Sequence, residues 1–190
     1  SPTYMGALSR SQKEIKKTLE PYDLLIFLGS TVLQTSVASE VDPMPEGANV
    51  VQIGLDDWEL AKNYSADISI RADVKETVEG LIPEIESQGG SKFLRLAQDR
   101  VTELKKGNWE SKNLKAREVA LSKSNTLPIE PDWLMLSVVD TLNDNGIIVN
   151  ESLTSSRALP DLLPYVDRYS FHGNASGGIG WGLPAAVGVK

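Results

Sequence analysis

The sequence predicts an α/β fold built on parallel sheets, and three observations support this prediction. Residues 23–30 contain a continuous apolar run that ends in Gly-Ser, as expected of a strand covered on both faces. Residues 147–149, Ile-Ile-Val, form a similar run that ends in a turn rich in hydroxyl groups. Segments with helical spacing of apolar residues alternate with such runs, and this alternation favours parallel strands joined by helices.

The first 86 residues predict part of one sheet with its helices. In chain order, the expected elements are helix Gln12–Leu19, strand 23–30, an irregular or short helical link 32–41, strand Asn49–Gly54, short helix 56–62, strand 66–73 and helix 74–85. Asp56 and Asp57 are adjacent carboxylates that could suggest a metal pair. We interpret them as helix-start residues, because no third ligand is spaced to join them.

The remaining residues predict a connector and the opening of a second domain. The expected segments, in chain order, are a linker at 87–91, a charged helical stretch at 92–123 broken near Gly107 and Asn108, a Pro-rich boundary at 127–131, and a helix at 133–143 leading into the strand at 147–149. The predicted domains are therefore residues 1–86, residues 87–127 and residues 128–190.

Charge and composition exclude several classes of function. The 190 residues carry a formal net charge of -7, which argues against nucleic acid and anionic membranes as partners. The absence of cysteine removes disulfides, thiolate metal sites and cysteine nucleophiles. The single histidine, His172, excludes a site with several histidine ligands, and its own role, acid–base or structural, stays open. With no bilayer-length apolar run and no signal peptide, we expect a cytoplasmic protein.

The turn after the 147–149 strand is the first candidate binding element. It reads Glu-Ser-Leu-Thr-Ser-Ser from Glu151 onward. In open α/β sheets, ligands bind beyond the carboxyl ends of the strands. Hydroxyl groups there can donate to an anion, and the amides of a following helix add positive potential. The competing interpretation is that residues 152–156 only cap the next helix, which is the commoner use of such residues.

A glycine cluster is the second candidate element. Gly177, Gly178, Gly180 and Gly182 lie within six positions, and the following Leu-Pro-Ala-Ala-Val-Gly predicts a short helix with proline in its first turn. The spacing differs from that of a dinucleotide-binding fingerprint. Alone, such a cluster also fits a tight turn between packed elements.

Together, the two elements resemble the start of the diphosphate-binding domain of thiamine diphosphate-dependent enzymes. The benzoylformate decarboxylase and acetolactate synthase group is the most similar. Residues 1–6, 23–29 and 50–56 resemble the second half of the central domain in the same family, which has a Rossmann-like core. The resemblance covers essentially the whole chain. It implies a partial central domain with a Rossmann-like parallel sheet, followed by the first strand–helix units of a second α/β domain.

The resemblance implies a contact with the cofactor diphosphate in the hydroxyl turn. The residues concerned are Glu151, Ser152, Leu153 and Thr154. The Thr154 hydroxyl and the Leu153 amide would hold the diphosphate. Many relatives have Gly or Thr at the position of Leu153, so only a backbone contact is carried over there.

At the other end of the cofactor, the resemblance assigns roles to Gly177, Gly178 and Ile179. The Gly177 carbonyl would accept a hydrogen bond from the amino group of the aminopyrimidine ring. Ile179 would lie under the cofactor and force its two rings into the bent, reactive conformation.

By the same resemblance, the chain is a fragment of a 2-oxo acid decarboxylase or carboligase, a lyase or transferase that uses thiamine diphosphate and Mg²⁺. We expect a homodimer or homotetramer for the parent. The family's Gly-Asp-Gly metal motif does not occur, and nothing matches the domain that carries the family's catalytic Glu. We therefore expect no catalytic residue and no metal ligand in the fragment, and no activity from it alone. Whether it is an engineered or a proteolytic fragment stays open.

Two other functions remain possible at this point. The first 86 residues could bind a nucleotide, FAD or an ADP moiety, beyond Gly29, as some central domains of the family do. Alternatively, the chain could be a non-catalytic module that buries its apolar faces by self-association. The identity of the 2-oxo acid, and the choice between decarboxylation and carboligation, also stay open.

Overall fold

The computed structural model describes residues 1–35, 39–143, 145–174 and 178–189. Its elements, in chain order, are α1 (Gln12–Leu19), β1 (Leu24–Leu28), β2 (Asn49–Gly54), β3 (Ile68–Arg71), α2 (Val74–Lys105), α3 (Trp109–Ser122), α4 (Pro131–Thr141), β4 (Ile148–Asn150), α5 (Leu159–Leu162), β5 (Phe171–Gly173) and α6 (Gly182–Gly188). All paired strands run parallel, so the predicted α/β fold class is confirmed.

The chain separates into two compact units. Ala7–Gln98 forms one unit, and Ser1–Gly6 together with Asp99–Lys190 forms the other. The division into a central domain, a connector and a diphosphate-binding domain stays a prediction. Among the described residues, no helix combines the length and the apolar character that a membrane crossing requires.

A three-stranded parallel sheet organises the Ala7–Gln98 unit. Strand β2 lies in the middle, with Val51 paired to Ile26 of β1 and to Ile68 of β3. Because all three strands point the same way, the loops that begin after Leu28, Gly54 and Arg71 leave the same edge of the sheet.

One face of this sheet is covered, whereas the other is exposed at its two edge strands, with Ile53 of the middle strand only 2% exposed. Helix α1 buries Ile15 and Leu19 against Leu25 of β1, as its apolar spacing predicts. On the second face, five aliphatic side chains of the edge strands β1 and β3 are at least 37% exposed: Leu24, Ile26, Leu28, Ile68 and Ile70. The register places them on one side. We call these five residues the open sheet face.

Two local predictions in this region differ from the structure. Residues 56–62 form turns instead of a helix, because Ala61 and Asn63 adopt positive φ angles of 55° and 67°. The expected linker at 87–91 lies inside α2, and within it Gly90 departs from helical geometry, with φ 59° and ψ -171°. Two helical segments therefore meet at a kink at Gly90, within the predicted linker.

In the second unit, α3, α4 and α5 surround a core beneath a two-stranded parallel sheet. The buried core residues are Ala120, Leu136, Val139, Leu159, Leu162 and Leu163. Ile148 of β4 and Phe171 of β5 pack against this cluster and pair with each other in register. The strand lies one residue later than the predicted 147–149, and its first residue, Ile148, packs against the core.

The predicted break near Gly107 and Asn108 separates α2 from α3. Asn108 is buried and caps α3, because its Oδ1 accepts a hydrogen bond from the Ser111 backbone N–H at 3.0 Å. The following Trp109 donates from Nε1 to the Pro160 carbonyl at 3.0 Å and packs between the rings of Tyr4 and Tyr165. These contacts attach the start of α3 to the α5 region.

Candidate functional site

The hydroxyl turn begins where β4 ends, at Asn150. Asn150 Oδ1 accepts a hydrogen bond from the Ser152 N–H at 3.1 Å, and Ser156 Oγ donates to the Ser152 carbonyl at 3.0 Å. The turn is thus held from both sides by short polar side chains. Ser152, Leu153 and Thr154 are all exposed.

Three hydrogen-bond donors of this turn are unengaged. The hydroxyl groups of Ser152 and Thr154 and the backbone N–H of Leu153 form no hydrogen bond with any described residue. They follow one another along the chain at the carboxyl end of a parallel strand, where α/β proteins bind ligands. The arrangement suits an acceptor-only anion such as a phosphate.

Glu151 joins this turn to the glycine cluster. Its Oε1 accepts hydrogen bonds from the backbone N–H groups of Gly180 and, at 3.1 Å, of Trp181. Its Oε2 accepts one from Gly182 at 2.6 Å. The three donors lie 29 to 31 residues further along the chain, so the contact brings the two candidate elements to one place.

The hydrogen bonds to Glu151 favour its ionised form. The Gly182 amide, followed by those of Gly180 and Trp181, holds the pKa of the carboxyl below its ordinary value of 4.5, although partial desolvation acts in the opposite direction. As the pH falls, the Glu151 carboxylate therefore stays ionised to a lower pH than a carboxylate without these hydrogen bonds.

This shift predicts a pH-dependent contribution of Glu151 to stability. Because the pKa is lower in the folded state, the stabilisation is fully present above pH 4.5 and is lost as pH falls through the folded-state pKa. We expect Glu151→Gln to lower the melting temperature near neutral pH, and the gap from the unmodified chain to narrow on acidification. Thermal unfolding followed by circular dichroism at a series of pH values measures both.

The matched control for the pH series is Glu118→Gln, which removes one exposed carboxylate from α3. Its difference from the unmodified chain should stay small at every pH. A Glu151→Gln gap that is equally large at neutral and at acidic pH would contradict the proposed charge dependence.

The glycine cluster forms a tight bend before α6. Gly180 has φ 93°, a conformation that side chains disfavour. A Cβ added to Gly182 would lie 2.7 Å from Glu151 Oε2, so a larger residue at this position would displace the carboxylate. Ile179 lies between Gly178 and Gly180 in the sequence, and it is 89% exposed.

The structure shows contacts for some of the predicted site residues and does not describe others. Glu151 contacts the glycine bend, and the Gly178 carbonyl accepts a hydrogen bond from Asn174 Nδ2 at 2.6 Å. Gly177 lies outside the described residues, together with 175 and 176. His172 lies within β5 and pairs in register with Val149. Among the described residues, no group of three or more His, Cys, Asp or Glu side chains could hold a metal ion.

A separate cavity of about 410 Å³ lies at the carboxyl edge of the β1–β3 sheet. Its lining includes Gly29 and Ser30 after β1, and the carboxylates Asp56, Glu59 and Asp73. None of the described residues that line it is Lys or Arg. Nearby carboxylates without a lining cation oppose a phosphate group.

Gln52 supports this cavity in a way that the sequence analysis missed. Its side chain is 1% exposed. Nε2 donates to the carbonyls of Ser30 at 3.3 Å and Glu59 at 2.9 Å, and Oε1 accepts from the Ala61 N–H at 2.6 Å. The available signal was a long polar residue in the middle of an apolar strand, since buried polar groups need partners.

Comparison with known proteins finds similarity to one group of enzymes. Residues 1–81 match the sequence model described as "Thiamine pyrophosphate enzyme, central domain". The chain is 26% identical over 188 residues to benzoylformate decarboxylase of Pseudomonas aeruginosa, a match that covers 98% of this chain and 31% of that protein. It is 26% identical over 175 residues to acetolactate synthase isozyme 1 large subunit of Escherichia coli K12, covering 90% of this chain and 28% of that protein. The chain spans about a third of the length of these relatives.

Solved structures show the same fold. The thiamine diphosphate-dependent 4-hydroxybenzoylformate decarboxylase of Rhodococcus jostii RHA1 superimposes with a TM-score of 0.67 at 24% identity. The match covers 100% of this chain and 32% of that one. The predicted resemblance to thiamine diphosphate-dependent enzymes is confirmed, and it extends over nearly the whole chain.

Proposed function

We propose that this chain, given its similarity to thiamine diphosphate-dependent enzymes from end to end, is a segment of an enzyme that decarboxylates a 2-oxo acid or couples it to an acceptor. The central-domain match at residues 1–81 and the decarboxylase and synthase relatives support the class. The observation that carries the proposal is the set of three unengaged donors in the turn after β4.

The turn supplies the diphosphate end of the proposed site. The Leu153 amide and the Ser152 and Thr154 hydroxyls would donate to phosphate oxygens, which only accept hydrogen bonds. Hydrogen bonds to charged groups are stronger than neutral ones, so these donors would contribute more to a diphosphate than to a neutral ligand. Glu151 belongs to the same site, and its charge is already neutralised in part by three backbone amides.

The glycine bend supplies the ring end. In this proposal the Gly177 carbonyl binds the aminopyrimidine amino group, Gly178 allows a close approach of the backbone, and Ile179 supports the bent cofactor. An isoleucine that is 89% exposed on a bend suits such an apolar support. When bound, thiamine diphosphate supplies the electron sink for cleavage of the bond next to the 2-oxo group.

The rest of the proposed active site lies outside this chain. The sequence lacks the family's Gly-Asp-Gly motif, so in this proposal Mg²⁺ and the catalytic acid–base group would depend on other parts of the parent polypeptide. Lyase or transferase chemistry, a cytoplasmic location and a homodimeric or homotetrameric state belong to the same proposal. The isolated chain is expected to have no activity.

Thr154→Val in the full-length polypeptide tests the site. Valine keeps the shape of threonine and removes the donor, so we expect the Kd for thiamine diphosphate to rise roughly ten- to a hundredfold. Isothermal titration in the presence of Mg²⁺ measures this change. Thr126→Val, at an exposed position before the 127–131 segment, is the matched control and should leave the Kd unchanged.

Two results would contradict the proposal. An unchanged Kd in Thr154→Val would remove the turn from the cofactor site. Release of carbon dioxide from benzoylformate or pyruvate by the purified 190-residue chain would show that the segment does not depend on a larger enzyme.

The cavity beyond Gly29 favours nucleotide binding as a second candidate function. Its volume of about 410 Å³ and its position at the carboxyl edge of a parallel sheet suit a nucleoside. However, Asp56, Glu59 and Asp73 line it, and they would repel the diphosphate of ADP or FAD. A melting temperature raised by adenosine, ADP or FAD would favour this function over the enzymatic one.

A further inference from the structure

Glu151 is the one described side chain that hydrogen-bonds the glycine bend from the hydroxyl turn. It immediately precedes Ser152, and its carboxylate accepts from the backbone of Gly180, Trp181 and Gly182. A carboxylate has two acceptor oxygens, and here both are used by three donors. A glutamine could not reproduce this set of hydrogen bonds, because the NH₂ of its carboxamide is a donor and would face a backbone N–H donor.

The bend is shaped around the carboxylate. A Cβ at Gly182 would meet Glu151 Oε2 at 2.7 Å and Glu151 Cβ at 3.0 Å, so the carboxylate keeps this position only beside a glycine. Gly180 has open space around it but a φ of 93°, so glycine is required there by the backbone. Two of the three donors are therefore glycines, each for a different physical reason.

The contact lies between the two places that the proposed function assigns to opposite ends of one cofactor. On one side are the unengaged donors of residues 152–154, and on the other is Ile179, directly before Gly180. Leu153 and Ile179 are 78% and 89% exposed, so neither is held in place by packing of its own side chain.

We propose that Glu151 is a positioning residue that fixes the glycine bend at a set distance from the hydroxyl turn. It acts through the backbone of residues 180–182 and not by touching the cofactor. This inference rests on the proposed function for its purpose, because the fixed distance would match the separation between the diphosphate and the rings. The bond between turn and bend can be tested without any cofactor.

Amide hydrogen exchange tests the contact itself. In Glu151→Gln, the exchange rates of the Gly180, Trp181 and Gly182 amides should rise roughly tenfold or more, because the anionic acceptor is lost. Exchange followed by nuclear magnetic resonance on the 190-residue chain resolves each amide. Glu118→Gln on α3 is the control and should leave the three rates unchanged.

A spin-label pair tests the positioning. The chain has no cysteine, so Leu153→Cys and Leu183→Cys create the only labelling sites, and both positions are exposed. With Glu151 present, the distance distribution between the two labels should be narrow. Glu151→Gln should broaden it, and Gly182→Ala should do the same without removing a charge, because its Cβ displaces the carboxylate.

The outcomes separate this inference from the proposed function. Faster exchange together with a broader distribution in both variants supports positioning. Unchanged exchange, or faster exchange with an unchanged distribution, overturns it, since the bend would then be held by other contacts. A parallel titration of the unlabelled full-length polypeptide with thiamine diphosphate decides the proposed function alone. Lack of binding there leaves the exchange and distance results valid.

Discussion

Leu136→Ala is expected to lower the free energy of unfolding of the Ser1–Gly6 and Asp99–Lys190 unit by about 2–5 kcal/mol. Leu136 is fully buried, with 0% exposure, at the centre of the cluster that α4 shares with α3 and α5. Alanine removes apolar contacts and leaves a cavity that rigid neighbours only partly close. Denaturant titration followed by circular dichroism measures the loss.

Leu134→Ala is the matched control on the same helix. Leu134 is 44% exposed, so its truncation should cost less than about 1 kcal/mol. Equal losses for the two variants would contradict the position of the core. Because Ile148 of β4 packs against the same cluster, Leu136→Ala should also speed amide exchange in β4 and the following turn.

Gln52→Leu is expected to destabilise the Ala7–Gln98 unit by about 1–3 kcal/mol. Leucine has a similar size, so packing is largely kept. The carbonyls of Ser30 and Glu59 and the N–H of Ala61 lose their partners, however. The 56–62 turns should therefore loosen, and denaturant titration with exchange of the Ala61 amide measures both effects.

Asn49→Ala is the control for Gln52. Asn49 lies at the exposed start of the same strand, and its Nδ2 donates to the Asp23 carbonyl at 3.5 Å, a marginal distance. Its loss should be close to zero. If Gln52→Leu proves neutral or stabilising, the three hydrogen bonds do not hold the cavity, and the apolar environment of β2 decides its stability instead.

Local sequence patterns predicted most of the fold. The apolar runs predict β1, β2 and β4 because buried parallel strands are apolar on both faces, although β1 is covered on one face only. The spacing of Ile15 and Leu19 predicted the buried side of α1 for a similar reason. These signals depend on residues that are neighbours in the chain.

What the sequence did not predict depends on distant partners. The partners of Glu151 lie 29 to 31 residues away, and those of Gln52 lie on two different loops. The turns at 56–62 arise from backbone angles at Ala61 and Asn63, which no local pattern required. The hydroxyl turn itself was found because its donors are contiguous, yet its attachment to the glycine bend needed the structure.

The open sheet face should affect how the chain behaves when it is expressed alone. Five large aliphatic side chains are exposed on two strands whose outer edges pair with no other described strand, a combination that promotes aggregation. Expression of this chain alone should therefore favour inclusion bodies, and mild detergent should raise its soluble yield. Replacing Ile26 or Ile70 by lysine, which places a charge on an edge strand, should have a similar effect without touching the hydroxyl turn.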